Sequence, residues 1–152
     1  MKKLLTVLRL SLIFTFVFVF IQAADAQKPK KRLAHYLNRT NIVLRETGKQ
    51  LKINKVYTGY YSKAVRHQKH AVRLFHKGLF NKAYHHSHRA RVLARLAYEA
   101  NLGVVPNDWK DTNDESASTG TTPSDEELDA ELTEADSKSE AEWVEEQFPD
   151  VN

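Results

Sequence analysis

The strongest constraint on the fold is a pair of helical patterns, residues 59–77 and 80–101, on either side of the turn Lys77-Gly78-Leu79-Phe80. Both patterns repeat apolar residues at steps of three and four, which is the spacing of one helix face. Gly78 suits the left-handed backbone position that ends many helices. The sequence therefore predicts two helices that fold back on each other.

A weaker helical pattern covers about residues 31–54, and Gly48 inside it costs up to about 1 kcal/mol relative to alanine. Three helices with short connections predict an all-α fold, a small up-down three-helix bundle or a long helical hairpin plus one helix. The face of the third helix that we expect to lie inside has small residues, which let two helix backbones approach closely. They are Ala83, Ser87, Ala90, Ala94 and Ala97.

The turn Gly78-Leu79-Phe80, followed by Ala83 and Ala90, resembles the middle of a tetratricopeptide repeat. In that family a glycine and an aromatic residue close the turn, and small residues pack the second helix. The resemblance covers residues 71–90. The proline expected after the second helix would fall near Arg95 and is absent, and the unit has no second copy to pack against. We interpret the resemblance as similar packing chemistry.

Residues 1–26 have the pattern of a signal peptide. Met1-Lys2-Lys3 is basic, residues 10–21 are almost entirely apolar, and Ala24-Asp25-Ala26 fits a cleavage site. The alternative is a retained membrane anchor, although the apolar run is shorter than the roughly 20 residues that a span needs. We predict an exported protein, periplasmic or secreted, with no transmembrane segment after cleavage. Because it has no cysteine, packing alone must stabilise it.

Charge divides the remaining chain into two parts. Residues 27–106, the predicted basic helical domain, contain 18 lysines and arginines against two acids, a net charge of +16. Residues 107–152 contain 16 acids against two lysines, a net charge of −14. So basic a domain attracts polyanions, and its own tail is the nearest one.

The basic residues form stripes on two of the predicted helices. The stripe on the second helix and the line of arginines and aromatic side chains on the third suit an anionic partner, although such stripes are also typical of a solvated face. We predict an anionic surface or an acidic protein as partner, and no specific nucleic acid. The predicted binding residues are Lys63, Arg66, His70, Arg73, Lys77, Tyr84, His88, Arg91 and Arg95.

The acidic tail has the composition of a largely disordered segment. Possible short helices lie near residues 124–134, where Ser124 and Glu127 form a capping box, and near 138–148. The tail could solubilise the protein, fold back on the basic domain as an internal competitor, or dock on another protein, including the next copy in an envelope assembly. The predicted docking residues are Leu128, Leu132, Trp143 and Phe148.

Six of the seven histidines lie in residues 58–103, which suggests a histidine-rich transition-metal-binding protein as an alternative. Helical phase instead places His70, His85 and His88 away from the core, among arginines that repel a cation. We therefore predict exposed histidines, no metal site and no cofactor. The residues of the alternative site are His67, His70, His85, His86 and His88.

Catalytic motifs are not recognisable in the sequence. It contains no nucleophile elbow, phosphate loop or dinucleotide fingerprint, and only Glu46 and Glu99 supply carboxylates in the basic domain. We therefore predict a protein that is not an enzyme. The sequence predicts an exported helical binding module that presents a basic face to an anionic partner, and whose acidic tail masks or tunes that face.

Overall fold

Three long helices account for most of the described residues in a computed structural model, which describes residues 29–112, 115, 122–132 and 138–152. Helix α1 is described over residues 29–54, α2 spans Tyr60–His76, and α3 spans Phe80–Leu102. The all-α helical bundle predicted from the sequence is confirmed. The predicted signal peptide, residues 1–26, lies outside the described residues. Within those that are described, no helix has the length and apolarity to cross a membrane.

The two connections between the long helices each contain a glycine with a positive φ. Gly78 has φ +76° in the tight turn between α2 and α3, and Gly59 has φ +81° just before α2. Gly59 occupies the N-cap position of α2, and the hydroxyl of the preceding Thr58 accepts a hydrogen bond from the Tyr60 N–H at 3.3 Å. The backbone N–H groups at the start of α2 therefore need acceptors from elsewhere.

The buried face of α3 consists of small side chains, as the sequence predicts. Residues Ala83, Ser87, Ala90, Ala94 and Ala97 of α3 are all buried. On the α1 side, Gly48 lies where a Cβ atom would be 2.6 Å from the Tyr61 hydroxyl oxygen. Helix α1 can therefore approach α2 closely at this point only because residue 48 has no side chain.

The described parts of the tail contain a 3₁₀ turn and two short helices. The turn is Asn107–Trp109, α4 is Asp125–Ala130 and α5 is Glu140–Trp143. The capping box predicted at Ser124 and Glu127 is present, with the Ser124 hydroxyl accepting from the Glu127 N–H at 3.2 Å. Both helices are shorter than the predicted ones, and residues 133–137 between them lie outside the described residues.

Large apolar residues of the tail contribute to both hydrophobic clusters of the bundle. Trp109, Trp143 and Phe148 are buried in the larger cluster with residues of all three long helices. Val151 is buried in the smaller one beside Leu37. Composition alone predicted disorder for this region, whereas these residues are placed in the core. The difference arises because these aromatic and aliphatic residues bury enough apolar surface to hold the described tail segments on the bundle.

Candidate functional site

The acidic tail lies on the basic helices, and carboxylates from each of its described parts meet cations or free N–H groups of the bundle. We call residues 122–132 the first tail segment and residues 138–152 the second tail segment. Asp111 and Glu115, between α3 and the first tail segment, form a third contact region. Each of these parts meets a different set of partners in the bundle.

The first tail segment lies against α2 and α3. Arg89 Nη1 lies 2.6 Å from an Asp125 carboxylate oxygen, and Lys63 Nζ lies 3.3 Å from an Asp129 oxygen. Leu128 is the buried residue of α4. Further ion pairs join Lys82 Nζ to Glu131, at 3.0 Å, and Arg89 Nε to Asp129, at 3.5 Å. The segment is thus attached by several charged pairs and one apolar side chain.

A buried pair of histidines lies beneath this segment. The Nδ1 atoms of His67 on α2 and His86 on α3 are 3.0 Å apart, and both side chains have no solvent exposure. His67 Nε2 lies 2.9 Å from Asp129 Oδ1, and His86 Nε2 lies 3.4 Å from Glu131 Oε2. The ring of His70 lies 4.5 Å from that of His86, centroid to centroid.

Burial decides the charge of these two histidines. It lowers the pKa of His67 to about 4, although the Asp129 hydrogen bond acts in the opposite direction. Burial also lowers the pKa of His86 to about 4, assisted by the nearby His70. Both rings are therefore neutral at pH 7, and each neutral ring has one nitrogen that donates and one that accepts.

The predicted exposure of the histidines is wrong for several of them. His85 is buried like His67 and His86, and His70 is half-buried. Helical phase placed these side chains away from the predicted core, but it could not show that the first tail segment covers α2 and α3. His88 is half-buried and contacts Asp111 at 2.9 Å. Only His67, His70 and His86 of the alternative metal set are brought together.

Arg91 differs most from its predicted place on the binding surface. Arg91 is 1% exposed, and its guanidinium lies between α1 and the loop after α3. Nη2 donates to the Tyr36 carbonyl at 3.1 Å, and Nη1 lies 2.8 Å from Asp111 and 3.2 Å from Glu115. The Tyr36 ring faces the guanidinium at 4.0 Å. Arg91 therefore joins the bundle to the tail and cannot meet an external partner.

The two carboxylates that pair with Arg91 are stabilised in their charged form. Burial alone would raise the pKa of Asp111, but hydrogen bonding to His88 and the charge of Arg91 hold it below its usual value. Burial likewise opposes the lowered pKa of Glu115, which the Thr112 N–H and the Arg91 and Arg39 charges maintain. Both acids are thus ionised at neutral pH and compensate the buried cation.

Glu140 in the second tail segment caps the beginning of α2. One of its carboxylate oxygens accepts from the N–H groups of Tyr61 at 2.7 Å and Ser62 at 3.2 Å, and the other accepts from the Gly59 N–H at 2.8 Å. Helix α2 has no acidic residue in its first turn, and its N-cap residue, Gly59, has no side chain that could accept a hydrogen bond. A distant glutamate therefore satisfies the N–H groups that a local cap would otherwise satisfy.

The end of the second tail segment runs along α1, where polar side chains hold its backbone. Asn38 both donates to the Val151 carbonyl at 3.0 Å and accepts from the Val151 N–H at 2.7 Å. Asn41 donates to the Pro149 carbonyl at 3.0 Å, and Arg45 donates to the Phe148 carbonyl at 2.9 Å. The C-terminal residues are thus fixed by their main chain as well as by their buried side chains.

The other predicted site residues have more varied surroundings. Lys77 and Arg73 are exposed, Arg66 and Arg95 are half-buried, and the half-buried Tyr84 donates its hydroxyl to the Glu115 carbonyl. Of the predicted docking residues, Leu128, Trp143 and Phe148 are buried, and Leu132 is half-buried.

Sequence reasoning missed the individual acids and cations that join the tail to the bundle. Among them are Arg89, Lys82, Glu131 and Glu140, each of which meets a partner 36 to 81 residues away in the sequence. The opposite charges of the two parts indicated that they attract each other. Nothing in the sequence indicated which acid meets which cation.

Comparison with known proteins gives no family assignment. Neither a protein-family model, nor a curated protein, nor a solved structure matches this chain.

Proposed function

We propose that this chain is an exported, non-catalytic binding module that takes an acidic protein segment on the face between α2 and α3. In the structure, the first tail segment covers that face. This observation carries the proposal, because a short acidic helix with one buried leucine already occupies the surface. The partner that we propose has the same chemistry, with several carboxylates around an apolar residue, and it would displace the first tail segment.

The forces that hold the first tail segment are small enough for displacement. Partly exposed ion pairs such as Lys63–Asp129 contribute about 0–1 kcal/mol each, and burying Leu128 contributes about 1.5–3 kcal/mol. Against this, ordering α4 is costly, because six residues are too few for a stable helix in water. If these terms leave a net free energy of about 2 kcal/mol in favour of the covered state, the apparent affinity for a partner is about 30-fold lower than that of the uncovered face.

The second tail segment has a different role in this proposal. It contributes Trp143, Val144 and Phe148 to the larger hydrophobic cluster and caps α2 through Glu140. Deleting residues 107–152 would therefore expose the core as well as the basic face. Point variants in the first tail segment separate these two effects.

The test compares the mature protein with the variant Asp125→Asn/Leu128→Ser, using poly-L-glutamate as an acidic polypeptide and heparin as a non-protein polyanion. The two substitutions remove the Arg89–Asp125 ion pair and the buried leucine. We expect about 10- to 30-fold tighter binding of poly-L-glutamate by the variant, and steep weakening by salt.

Glu126→Gln is the matched control, because it removes the same charge from an exposed position of α4. We expect it to leave the affinity nearly unchanged. Equal affinity of the mature protein and Asp125→Asn/Leu128→Ser for poly-L-glutamate would contradict masking. Tighter binding of heparin alone would contradict the acidic protein as partner. A mass that rises with protein concentration and falls with salt would indicate that the segment covers a second copy instead.

A further inference from the structure

We propose that His70, His86 and Glu131 form a binding site for a divalent transition-metal ion such as Zn²⁺. The three ligands come from three parts of the chain, α2, α3 and the first tail segment. One nitrogen or oxygen atom of each residue lies within 4.8 Å of those of the other two. This inference does not depend on an acidic partner, and it assigns a ligand that the proposed function does not require.

The distances match the size of a tetrahedral site. Zn²⁺ binds histidine nitrogen at about 2.0–2.1 Å and carboxylate oxygen at about 2.0–2.2 Å, so two of its ligand atoms lie about 3.4 Å apart. His86 Nε2 and Glu131 Oε2 are already 3.4 Å apart. His70 and Glu131 are half-buried side chains near the edge of the first tail segment. Since all three ligand atoms lie within 4.8 Å of one another, each pair has to close by at most about 1.4 Å to reach this spacing.

The hydrogen bonds of the histidine pair prepare His86 to bind a cation. The 2.9 Å contact between His67 Nε2 and Asp129 assigns the proton of His67 to Nε2, since a carboxylate only accepts. His67 Nδ1 therefore accepts, and His86 Nδ1, 3.0 Å away, donates to it. Nε2 of the neutral His86 is then left with a lone pair that faces Glu131.

Two acceptors that face each other repel unless a cation lies beside them, and a metal ion between them would bind both. The arrangement also supplies the outer contacts typical of metal sites, in which a ligating histidine donates its other N–H to a fixed acceptor. Here His67 is that acceptor, and Asp129 fixes its orientation in turn. Two imidazoles and one carboxylate suit Zn²⁺, Co²⁺, Ni²⁺ and Cu²⁺ more than Mg²⁺ or Ca²⁺.

Two protein cations lie beside the proposed ligands and compete with the metal. Lys82 Nζ is 3.0 Å from Glu131, and Arg73 Nη2 is 3.4 Å from His70 Nδ1. They neutralise the site when no metal is bound and lower its metal affinity. Because Glu131 belongs to the first tail segment, the metal also attaches that segment to the bundle. Metal binding therefore favours the state in which the basic face is covered.

The experiment titrates the mature full-length protein, first treated with a chelator, with Zn²⁺ by calorimetry and with Co²⁺ by visible absorption. We expect one ion per chain and Co²⁺ bands typical of histidine and carboxylate ligands. Glu131→Gln and His70→Gln should each weaken binding at least about 10-fold. Asp129→Asn, which acts through His67 on the tautomer of His86, should weaken it about 10- to 100-fold.

Two further variants separate this site from general attraction of metal to histidine. His76→Gln changes an exposed histidine of α2 and should leave the affinity unchanged. Lys82→Gln removes the competing cation and should tighten metal binding. Binding would not become tighter if Lys82 only stabilised the fold. Circular dichroism checks that each variant keeps its helical content. Absence of one-to-one binding, or an equal loss in His76→Gln and Glu131→Gln, would overturn the proposal.

Discussion

Arg91 shows how a single side chain can depend on two distant parts of the chain. A guanidinium has five donors in a planar arrangement, and burying it is costly unless these donors are paired. In this protein α1 offers the Tyr36 carbonyl and the Thr40 hydroxyl, and the chain after α3 offers Asp111 and Glu115. Removing any one of these groups leaves the charge less well compensated.

We predict that Arg91→Ala lowers the free energy of unfolding by about 3–5 kcal/mol, because it leaves Asp111 and Glu115 without the buried cation that they share. Arg91→Lys should restore only part of this loss, since an ammonium cannot reach acceptors on both sides. Urea denaturation measures both values. Lys77→Ala, at an exposed position, is the control and should change stability by less than about 0.5 kcal/mol.

The cost of Arg91→Ala should also depend on pH. The pKa values of Asp111 and Glu115 are lower in the folded protein than their usual values of 3.8 and 4.5. Their stabilising contribution is therefore complete above about pH 5 and is lost as the pH falls through their folded pKa values. The difference in stability between Arg91→Ala and the original protein should stay constant from pH 7 to 5 and shrink below pH 4. A cost independent of pH would contradict this assignment.

At the scale of the helices, the contact between α1 and α2 reverses the effect expected of Gly48. A glycine in the interior of a helix is destabilising, so replacing Gly48 with alanine would ordinarily raise the free energy of unfolding by up to about 1 kcal/mol. A Cβ atom at this position would, however, lie 2.6 Å from the hydroxyl oxygen of the buried Tyr61. That hydroxyl donates to the Leu44 carbonyl at 3.2 Å, which fixes its position.

We predict that Gly48→Ala lowers the free energy of unfolding by about 1–2 kcal/mol, because overcrowding in a packed core outweighs the gain in helix propensity. In the Tyr61→Phe background the clashing oxygen is gone, and Gly48→Ala should be neutral or stabilising. Thermal and urea denaturation of the four proteins gives the coupling between the two positions. The same cost in both backgrounds would show that the hydroxyl is not the cause.

For the whole molecule, the two tail segments differ in how they contribute to stability. Buried residues of the second tail segment belong to the same hydrophobic cluster as residues of all three long helices, so loss of this segment disrupts the larger cluster. The first tail segment adds one buried residue, Leu128, and a set of ion pairs. A substitution in the first segment can cost no more than the free energy that holds the segment on the bundle.

We predict that Trp143→Ala destabilises the protein by about 3–5 kcal/mol, in the range of aromatic-to-alanine changes in a core. Leu128→Ala should cost no more than about 2 kcal/mol, because local release of the first tail segment limits the loss. Hydrogen exchange provides the second measurement. Amides of α4 should exchange faster in Leu128→Ala, and those of α2 and α3 should keep their protection. Loss of protection throughout the bundle in Leu128→Ala would contradict this division.

The sequence by itself determined the features that depend on neighbouring residues. The period of three and four predicted α2 and α3, Gly78 predicted the turn between them, and the spacing of Ser124 and Glu127 predicted the cap of α4. The small residues of α3 likewise predicted its buried face. These inferences were correct because backbone geometry and local hydrogen bonds decide them within a few residues.

Only the tertiary structure decided which surfaces the tail covers. The buried positions of His67, His86 and Arg91 depend on groups 20 to 62 residues away along the sequence, among them Asp111 and Asp129. Helical phase shows which side chains share a face, but it does not show what lies against that face. The opposite charges indicated attraction between the two parts of the chain. Charge attraction is long-range and non-directional, so the pairing of particular acids with particular cations is decided by the packing of Leu128, Trp143 and Phe148.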